Sequence, residues 1–184
     1  DKMVLFKTQT YQGNLFISEF DKNQGEWEEP RKLGENINTK FWETHGCLGP
    51  DNSTLYFTSN RKGGHGGLDI YISRYNEQKN QWSEPRNIGE QINTPYNEET
   101  PFITSNGERL YFSSQGHEGI GWFDVFYSDK IGEKEWSKPV NIGYPINTTD
   151  DDLFFCPVDN GNAGYMAKSQ KSGHGNQDIY RIEI

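Results

Sequence analysis

Apolar and polar residues alternate in short stretches along the chain. In TLYFTS (54–59), Leu55 and Phe57 alternate with Tyr56 and Thr58, which would place the two pairs on opposite faces of a strand. The same alternation occurs in RLYFSS (109–114), and turn sequences such as PDNS and SNGE stand between such stretches. Short alternating stretches bounded by turn signals predict antiparallel β-strands.

The pattern recurs along the chain at a fixed interval. The segment EWEEPRKLGENINT returns as QWSEPRNIGEQINT and again as EWSKPVNIGYPINT. Their tryptophans are 55 and 54 residues apart: Trp27, Trp82 and Trp136. A proline follows each tryptophan three positions later, and proline cannot donate to a sheet ladder. We therefore expect the tryptophan-bearing strand to be the outermost strand of each repeat.

A glycine-rich loop precedes a strand in each repeat, as GGHGG (63–67) precedes DIYIS. Three aspartates begin these strands at the same interval: Asp69, Asp124 and Asp178. A phosphate-binding glycine loop leads into a helix, whereas these loops lead into strands. We predict that the glycines allow positive φ and that each aspartate caps its loop by accepting hydrogen bonds from loop amides. A metal site on His65 and His174 is disfavoured because the third unit has Ile120 there.

Four antiparallel strands per repeat are typical of a β-propeller blade. The predicted fold is an all-β propeller in one domain, 1–184, with blades at approximately 1–42, 43–97, 98–151 and 152–184. The first blade lacks its innermost strand and the last lacks its outermost, so roughly fourteen strands make about 3.5 blades. Closed propellers usually have ~4–8 blades. We expect the chain to be part of a larger propeller; a compact four-bladed ring is the alternative.

Composition supports an all-β chain and narrows the classes of partner. Alanine occurs only twice, whereas 14% of the residues are aromatic, a mixture that disfavours helix and suits strands. The net charge of −9 and the scattered basic residues disfavour binding to nucleic acid or anionic lipid. No stretch approaches the ~20 apolar residues of a membrane-spanning helix. Cys47 and Cys156 fit no metal-binding pattern; free thiols are expected, and a disulfide is the alternative.

The repeat resembles a known family. WSEPRNIGEQINT and SNRKGGHGGLDIYIS look like the WD-like repeat of TolB-type propellers, and more closely like the periplasmic propeller of OmpA-family envelope proteins. Some members of that group are accessory components of the type IX secretion and gliding apparatus. The resemblance covers essentially the whole chain. It implies a propeller in the periplasm or at the outer membrane and no catalytic residues; the family's peptidoglycan-binding signature is absent from this sequence.

One acidic residue per repeat precedes the innermost strand: Glu43, Glu98 and Asp152. Carboxylates near the mouth of a propeller channel would suit a hard cation such as Ca²⁺, and paired carboxylates also serve glycoside hydrolysis. Because these acids follow the repeat, however, a structural bond to a neighbouring loop is the favoured interpretation. Direct contact with a partner remains a further hypothesis.

Several aromatic residues lie outside the repeat pattern, in the linkers beside the acids or in a glycine-rich loop: Phe41, Trp42, Tyr96 and Trp122. Exposed aromatic side chains on loops mark binding surfaces for protein or sugar. We predict that these loops, together with the three acids, form the contact surface.

The sequence therefore predicts a non-catalytic scaffold that binds protein partners in the bacterial cell envelope and needs no cofactor. A lectin-like propeller that binds glycans or peptidoglycan fragments is the alternative, and an accessory propeller of a hydrolase is the second alternative. An open arc of blades would expose sheet edges, so we also expect either a dimer or packing against a missing remainder of the propeller.

Overall fold

A computed structural model describes residues 1–9, 12–168 and 177–183 of the chain. Over this part the fold is all-β, as predicted, and its four antiparallel sheets are the blades of a β-propeller. The described residues include one 3₁₀ turn, Asp159–Gly161, and no α-helix. The sixteen strands β1–β16 are Lys2–Gln9, Gln12–Asp21, Glu26–Trp27, Arg31–Lys32, Glu43–Leu48, Thr54–Ser59, Asp69–Asn76, Gln81–Trp82, Arg86–Asn87, Glu98–Ile103, Arg109–Ser114, Asp124–Asp129, Val140–Asn141, Cys156–Val158, Ala163–Lys168 and Asp178–Glu183.

The two middle blades are complete. In the second blade β5, β6 and β7 pair in order, and both β8 and β9 pair with β7. The outer strand is thus two short segments with Pro85 between them, because proline interrupts the ladder. The third blade has the same order, β10 to β13, and Trp136 joins it through a bridge to Lys130. The predicted outer position of the tryptophan strands is confirmed.

The terminal blades are incomplete, as the strand count predicted. The first blade consists of β1, β2 and the outer segments β3 and β4, and the last consists of β14, β15 and β16. If each interrupted outer strand counts once, the described residues form fourteen strands in four sheets. Whether these blades belong to a larger ring remains a prediction.

The innermost strands are interrupted near their start. The pairing of β5 with β6 shifts register between Glu43 and Gly46, and that of β10 with β11 shifts between Glu99 and Phe102. In the last blade Phe154 has a φ of +60°, and only Cys156–Val158 pairs with β15. The innermost strand of the last blade, β14, is therefore half as long as β5 and β10, because the irregularity occupies the residues before it.

Each blade packs on the next through opposite faces of its strands. Leu55 and Phe57 of the second blade are buried against the first blade, beside Leu15 and Ile17. Tyr56 points the other way and packs against the third blade, where its ring meets that of Trp136 edge to face. The alternation in TLYFTS is thus the origin of the propeller's layered core. A third apolar cluster joins the third blade to the fourth.

One asparagine in each linker fastens the third strand of its blade. The side chain of Asn93 accepts a hydrogen bond from the backbone N–H of Ile70 at 2.9 Å and donates one to its carbonyl at 3.0 Å. Asn38 does the same with Leu15, and Asn147 with Val125. An amide side chain therefore supplies both ladder bonds at the point where the outer strand has ended.

Candidate interaction surface

The linkers and the glycine-rich loops emerge from the same end of the blades. In the second blade Glu43 at the start of β5 pairs with Ser59 at the end of β6, and Ser59 pairs with Asp69 at the start of β7. The third blade repeats this register. We call this end the loop face; it consists of the linkers 35–42, 90–97 and 142–151 and the glycine-rich loops 60–68 and 115–123.

The glycine-rich loops are held by their aspartates, as predicted. Asp69 accepts hydrogen bonds from the amides of His65 and Gly66, and burial raises the pKa of its carboxyl. Asp124 accepts from Ile120 at 2.7 Å and Gly121 at 2.9 Å. Asp178 begins β16, but its glycine-rich loop lies outside the described residues.

The reason for the glycines differs from the expectation. Gly63 has a φ of +90°, as predicted, but Gly66 does not adopt a positive φ. A Cβ on Gly66 would instead lie 2.0 Å from the backbone oxygen of Tyr96. The loop and the following linker thus touch backbone to backbone, and Gly67 donates a hydrogen bond to the same oxygen. Glycine is required at position 66 because the two backbones approach closely. The sequence had instead suggested that turn geometry requires it.

The three repeat acids lie inside the protein. Glu43 and Glu98 are fully buried and Asp152 is 3% exposed. Each accepts hydrogen bonds from the amide and the hydroxyl of a threonine four residues earlier, which closes the turn into the inner strand: Thr39, Thr94 and Thr148. The structure therefore makes these carboxylates supports of the linkers rather than surface groups.

The charge beside each acid differs. The Arg61 guanidinium lies 3.3 Å from Glu43 and also stacks over Phe57, and burial lowers the pKa of Arg61. Lys168 pairs with Asp152 at 3.1 Å. Glu98 has no ion pair among the described residues; its other acceptor bond comes from Ser114. Burial therefore raises the pKa of the Glu98 carboxyl, although its hydrogen bonds oppose the rise.

Three of the four off-repeat aromatics project into solvent on the loop face. Trp42 is 50% exposed, Tyr96 61% and Trp122 77%. Phe41 is half-buried and lies beneath the Lys40 ammonium, which is 5.5 Å from its ring centroid. Trp42 is held at its backbone by two hydrogen bonds with Asn60. The exposed rings are thus carried on fixed loops.

Two further exposed apolar residues of the loop face were missed by sequence reasoning. Ile120 is 56% exposed beside Trp122, and Tyr144 is 84% exposed in the linker after β13. Both break the repeat: Ile120 stands where the second unit has His65, and Tyr144 stands where it has Glu90. Departure from the repeat toward an apolar side chain was the signal that would have found them.

The opposite end of the blades carries few such groups. Its described turns are 22–25, 49–53, 77–80, 104–108, 130–134 and 159–162. Ile131, 65% exposed, is their one exposed large apolar side chain among the described residues. Of the two ends of the blades, the loop face therefore carries most of the exposed apolar side chains.

The described residues form no metal-binding cluster, no disulfide and no membrane-spanning helix. Among the described residues, no group of three or more histidine, cysteine or acidic side chains is placed to hold a metal ion. Cys47 and Cys156 are free thiols, and burial raises the pKa of Cys47 to about 12. Within the same part of the chain, no helix is long and apolar enough to cross a bilayer.

Comparisons with known proteins place the chain by its fold. No protein-family profile and no curated protein matches the sequence. TolB from Acinetobacter baumannii superposes with a TM-score of 0.56 at 13% identity, over 99% of this chain and 38% of TolB. Kuenenia stuttgartiensis hydrazine synthase gives 0.50 at 11% identity, over 100% of this chain and 55% of that one. The chain thus shares the β-propeller fold of TolB and spans well under two thirds of either protein.

Proposed function

We propose that this chain is a non-catalytic scaffold that binds protein partners in the bacterial cell envelope through its loop face. The observation that carries the proposal is the concentration of five exposed apolar side chains on one end of the blades: Trp42, Tyr96, Ile120, Trp122 and Tyr144. Aromatic residues are enriched in protein interfaces, and exposed apolar groups on rigidly held loops mark contact surfaces.

The repeat acids contribute to this surface indirectly. Each buried carboxylate fixes the linker that precedes it, and two of those linkers carry Trp42 and Tyr96. Asp124 fixes the glycine-rich loop that carries Ile120 and Trp122. A pre-organised surface loses less conformational entropy on binding than a mobile one. Asp152 secures the corresponding turn before the fourth blade.

The envelope location is supported by the resemblance of the repeat to the periplasmic propellers of OmpA-family proteins, some of which are accessory components of type IX secretion. The TolB-like fold agrees with this placement. The surface of the chain is acidic, with a net charge of −9, which favours protein partners over anionic lipid or nucleic acid.

Capture from an envelope extract of the producing organism tests the proposal. The tagged chain is compared with a loop-face variant, Trp42→Ser/Tyr96→Ser/Trp122→Ser, and with a control variant at the opposite end, Ile131→Ser. We expect a stoichiometric protein partner that the chain and the control retain and the loop-face variant loses. Equal retention by all three proteins would refute binding through the loop face.

A glycan-binding propeller is the second candidate, favoured by the two exposed tryptophans, Trp42 and Trp122, since sugars stack on such rings. Titration calorimetry with soluble peptidoglycan fragments separates the two functions. Saturable binding that Trp122→Ser abolishes, without any captured protein, would replace the scaffold by the lectin-like function.

A further inference from the structure

The outward side of the first blade carries the apolar positions that the middle blades bury. We call the side of each blade that packs on the preceding blade its front face and the other side its rear face. The front face of the second blade consists of Leu55, Phe57, Tyr71 and Trp82, which are 0–6% exposed. That of the third consists of Leu110, Phe112, Phe126 and Trp136, which are 0–7% exposed.

Strand register gives the equivalent residues of the first blade. Leu5 pairs with Phe16 as Phe57 pairs with Tyr71, and Met3 pairs with Ser18 as Leu55 pairs with Ser73. Trp27 pairs with the third strand as Trp82 does. The front face of the first blade is therefore Met3, Leu5, Phe16 and Trp27.

These four positions are apolar, and no blade among the described residues packs on them. Met3, Leu5 and Phe16 are partly exposed, and Trp27 is 44% exposed, whereas Trp82 at the same repeat position is 6% exposed. The Lys7 ammonium lies 5.3 Å from the centroid of the Phe16 ring. Contiguous apolar surface of this kind marks an interaction site.

The complementary half of the joint is exposed at the other end of the same chain. In two of the three joints the rear face presents an aliphatic residue directly after the aspartate and a tyrosine on the second strand: Ile70 with Tyr56, and Val125 with Tyr111. The fourth blade presents Ile179 and Tyr165 at these positions. Ile179 is 78% exposed and Tyr165 41%.

We propose that two copies of this chain associate head to tail, with the rear face of the fourth blade of one copy packed on the front face of the first blade of the other. The contact repeats the joint that the chain already makes three times within itself, between like positions. A second copy is the occupant because both halves of the joint are present and exposed on one chain. Burial of Trp27 and Ile179 supplies the hydrophobic driving force.

The opposite orientation of the two faces makes the contact heterologous, so it differs from a two-fold symmetric dimer. Trp27→Glu and Ile179→Glu each spoil one half of the joint. Ile131→Glu is the matched control, since Ile131 is 65% exposed but lies at the opposite end of the blades, away from the front and rear faces. Near-ultraviolet circular dichroism and a urea unfolding midpoint establish that each variant is folded.

Sedimentation velocity from 1 to 100 μM tests the proposal. The chain and the Ile131→Glu control are expected to sediment as a dimer or a larger head-to-tail oligomer. Either face variant alone is expected to dissociate at least roughly tenfold more readily, a change of about 1.4 kcal/mol. An equimolar mixture of Trp27→Glu and Ile179→Glu retains one intact joint and is expected to form a heterodimer. A species of 21.2 kDa at every concentration would overturn the proposal. So would a dimer that survives Ile179→Glu, since two front faces would then meet.

Discussion

At the scale of single residues, each repeat uses one carboxylate to close the turn that leads into its inner strand. Glu98 accepts bonds from the Thr94 amide at 2.7 Å, the Thr94 hydroxyl at 2.6 Å and the Ser114 hydroxyl at 2.7 Å. Glu43 adds an ion pair with Arg61, which Glu98 lacks among the described residues. At this position of the repeat the hydrogen bonds from the threonine are therefore constant, whereas the charged partner of the carboxylate differs from blade to blade.

Glu98→Gln is expected to destabilise the fold by about 1–3 kcal/mol. The amide NH₂ that replaces one carboxylate oxygen would face a buried hydrogen-bond donor and leave that donor without an acceptor. The pKa of Glu98 is raised on folding above its ordinary 4.5. The native state therefore holds the proton more tightly, so this carboxyl stabilises the fold most below pH 4.5 and loses that contribution as pH rises through the raised pKa. Urea unfolding of both proteins should show a larger stability gap at pH 4 than at pH 7, and a gap that grows with pH would contradict the assignment.

The identity of these residues, but not their surroundings, was readable from the sequence. Recurrence at a fixed interval marked Asp69 and Glu98 as structural, and their hydrogen bonds agree with that interpretation. The burial of the acids was not readable, since it depends on how the linker folds over the inner strand. The close approach at Gly66 is a contact between segments 30 residues apart, 66 to 96, and no local pattern encodes it.

At the scale of elements, two contacts hold one blade to the next. One is the backbone contact of the glycine-rich loop with the following linker, at Gly66 and Tyr96. The other is the packing of front and rear faces, in which the outer tryptophan meets the preceding blade. Asn36 of the first linker, for example, donates a hydrogen bond to the carbonyl of Trp82 at 2.7 Å.

Gly66→Ala tests the first contact. A methyl group there meets the Tyr96 oxygen at 2.0 Å, and backbone must move to admit it, so we expect a loss of about 1–3 kcal/mol. Gly34→Ala is the control, because nothing lies within 4 Å of its Cβ position. Thermal unfolding of the two variants should separate them clearly, and equal melting temperatures would refute the contact.

The tryptophan pair tests the second contact. Trp82→Ala removes a side chain that is 6% exposed and should cost about 3–5 kcal/mol of unfolding free energy. Trp27→Ala, at the equivalent position of the first blade, removes a ring that is 44% exposed and should cost less than about 1.5 kcal/mol. Denaturant unfolding below 1 μM, where association is suppressed, measures both; similar losses would mean that the first blade has a packing partner within the chain.

At the scale of the whole molecule, the blades separate two ends of different character. The loop face carries Trp42, Tyr96, Ile120, Trp122 and Tyr144, and the opposite end has mainly polar turns. The strand pattern and the 54–55-residue period predicted the blades and their number. They could not place the linkers and glycine-rich loops at one end, because that follows from the pairing register of Glu43, Ser59 and Asp69.

Binding of a protein by the loop face can be probed by site-specific photo-crosslinking. A photoreactive phenylalanine analogue is placed at Trp122 or Tyr96 on the loop face, and at Ile131 on the opposite end as the control. After irradiation in envelope extract, we expect a discrete protein adduct from both loop-face positions and none from position 131. Adducts from position 131 alone, or none from either loop-face position, would rule out protein binding through the loop face.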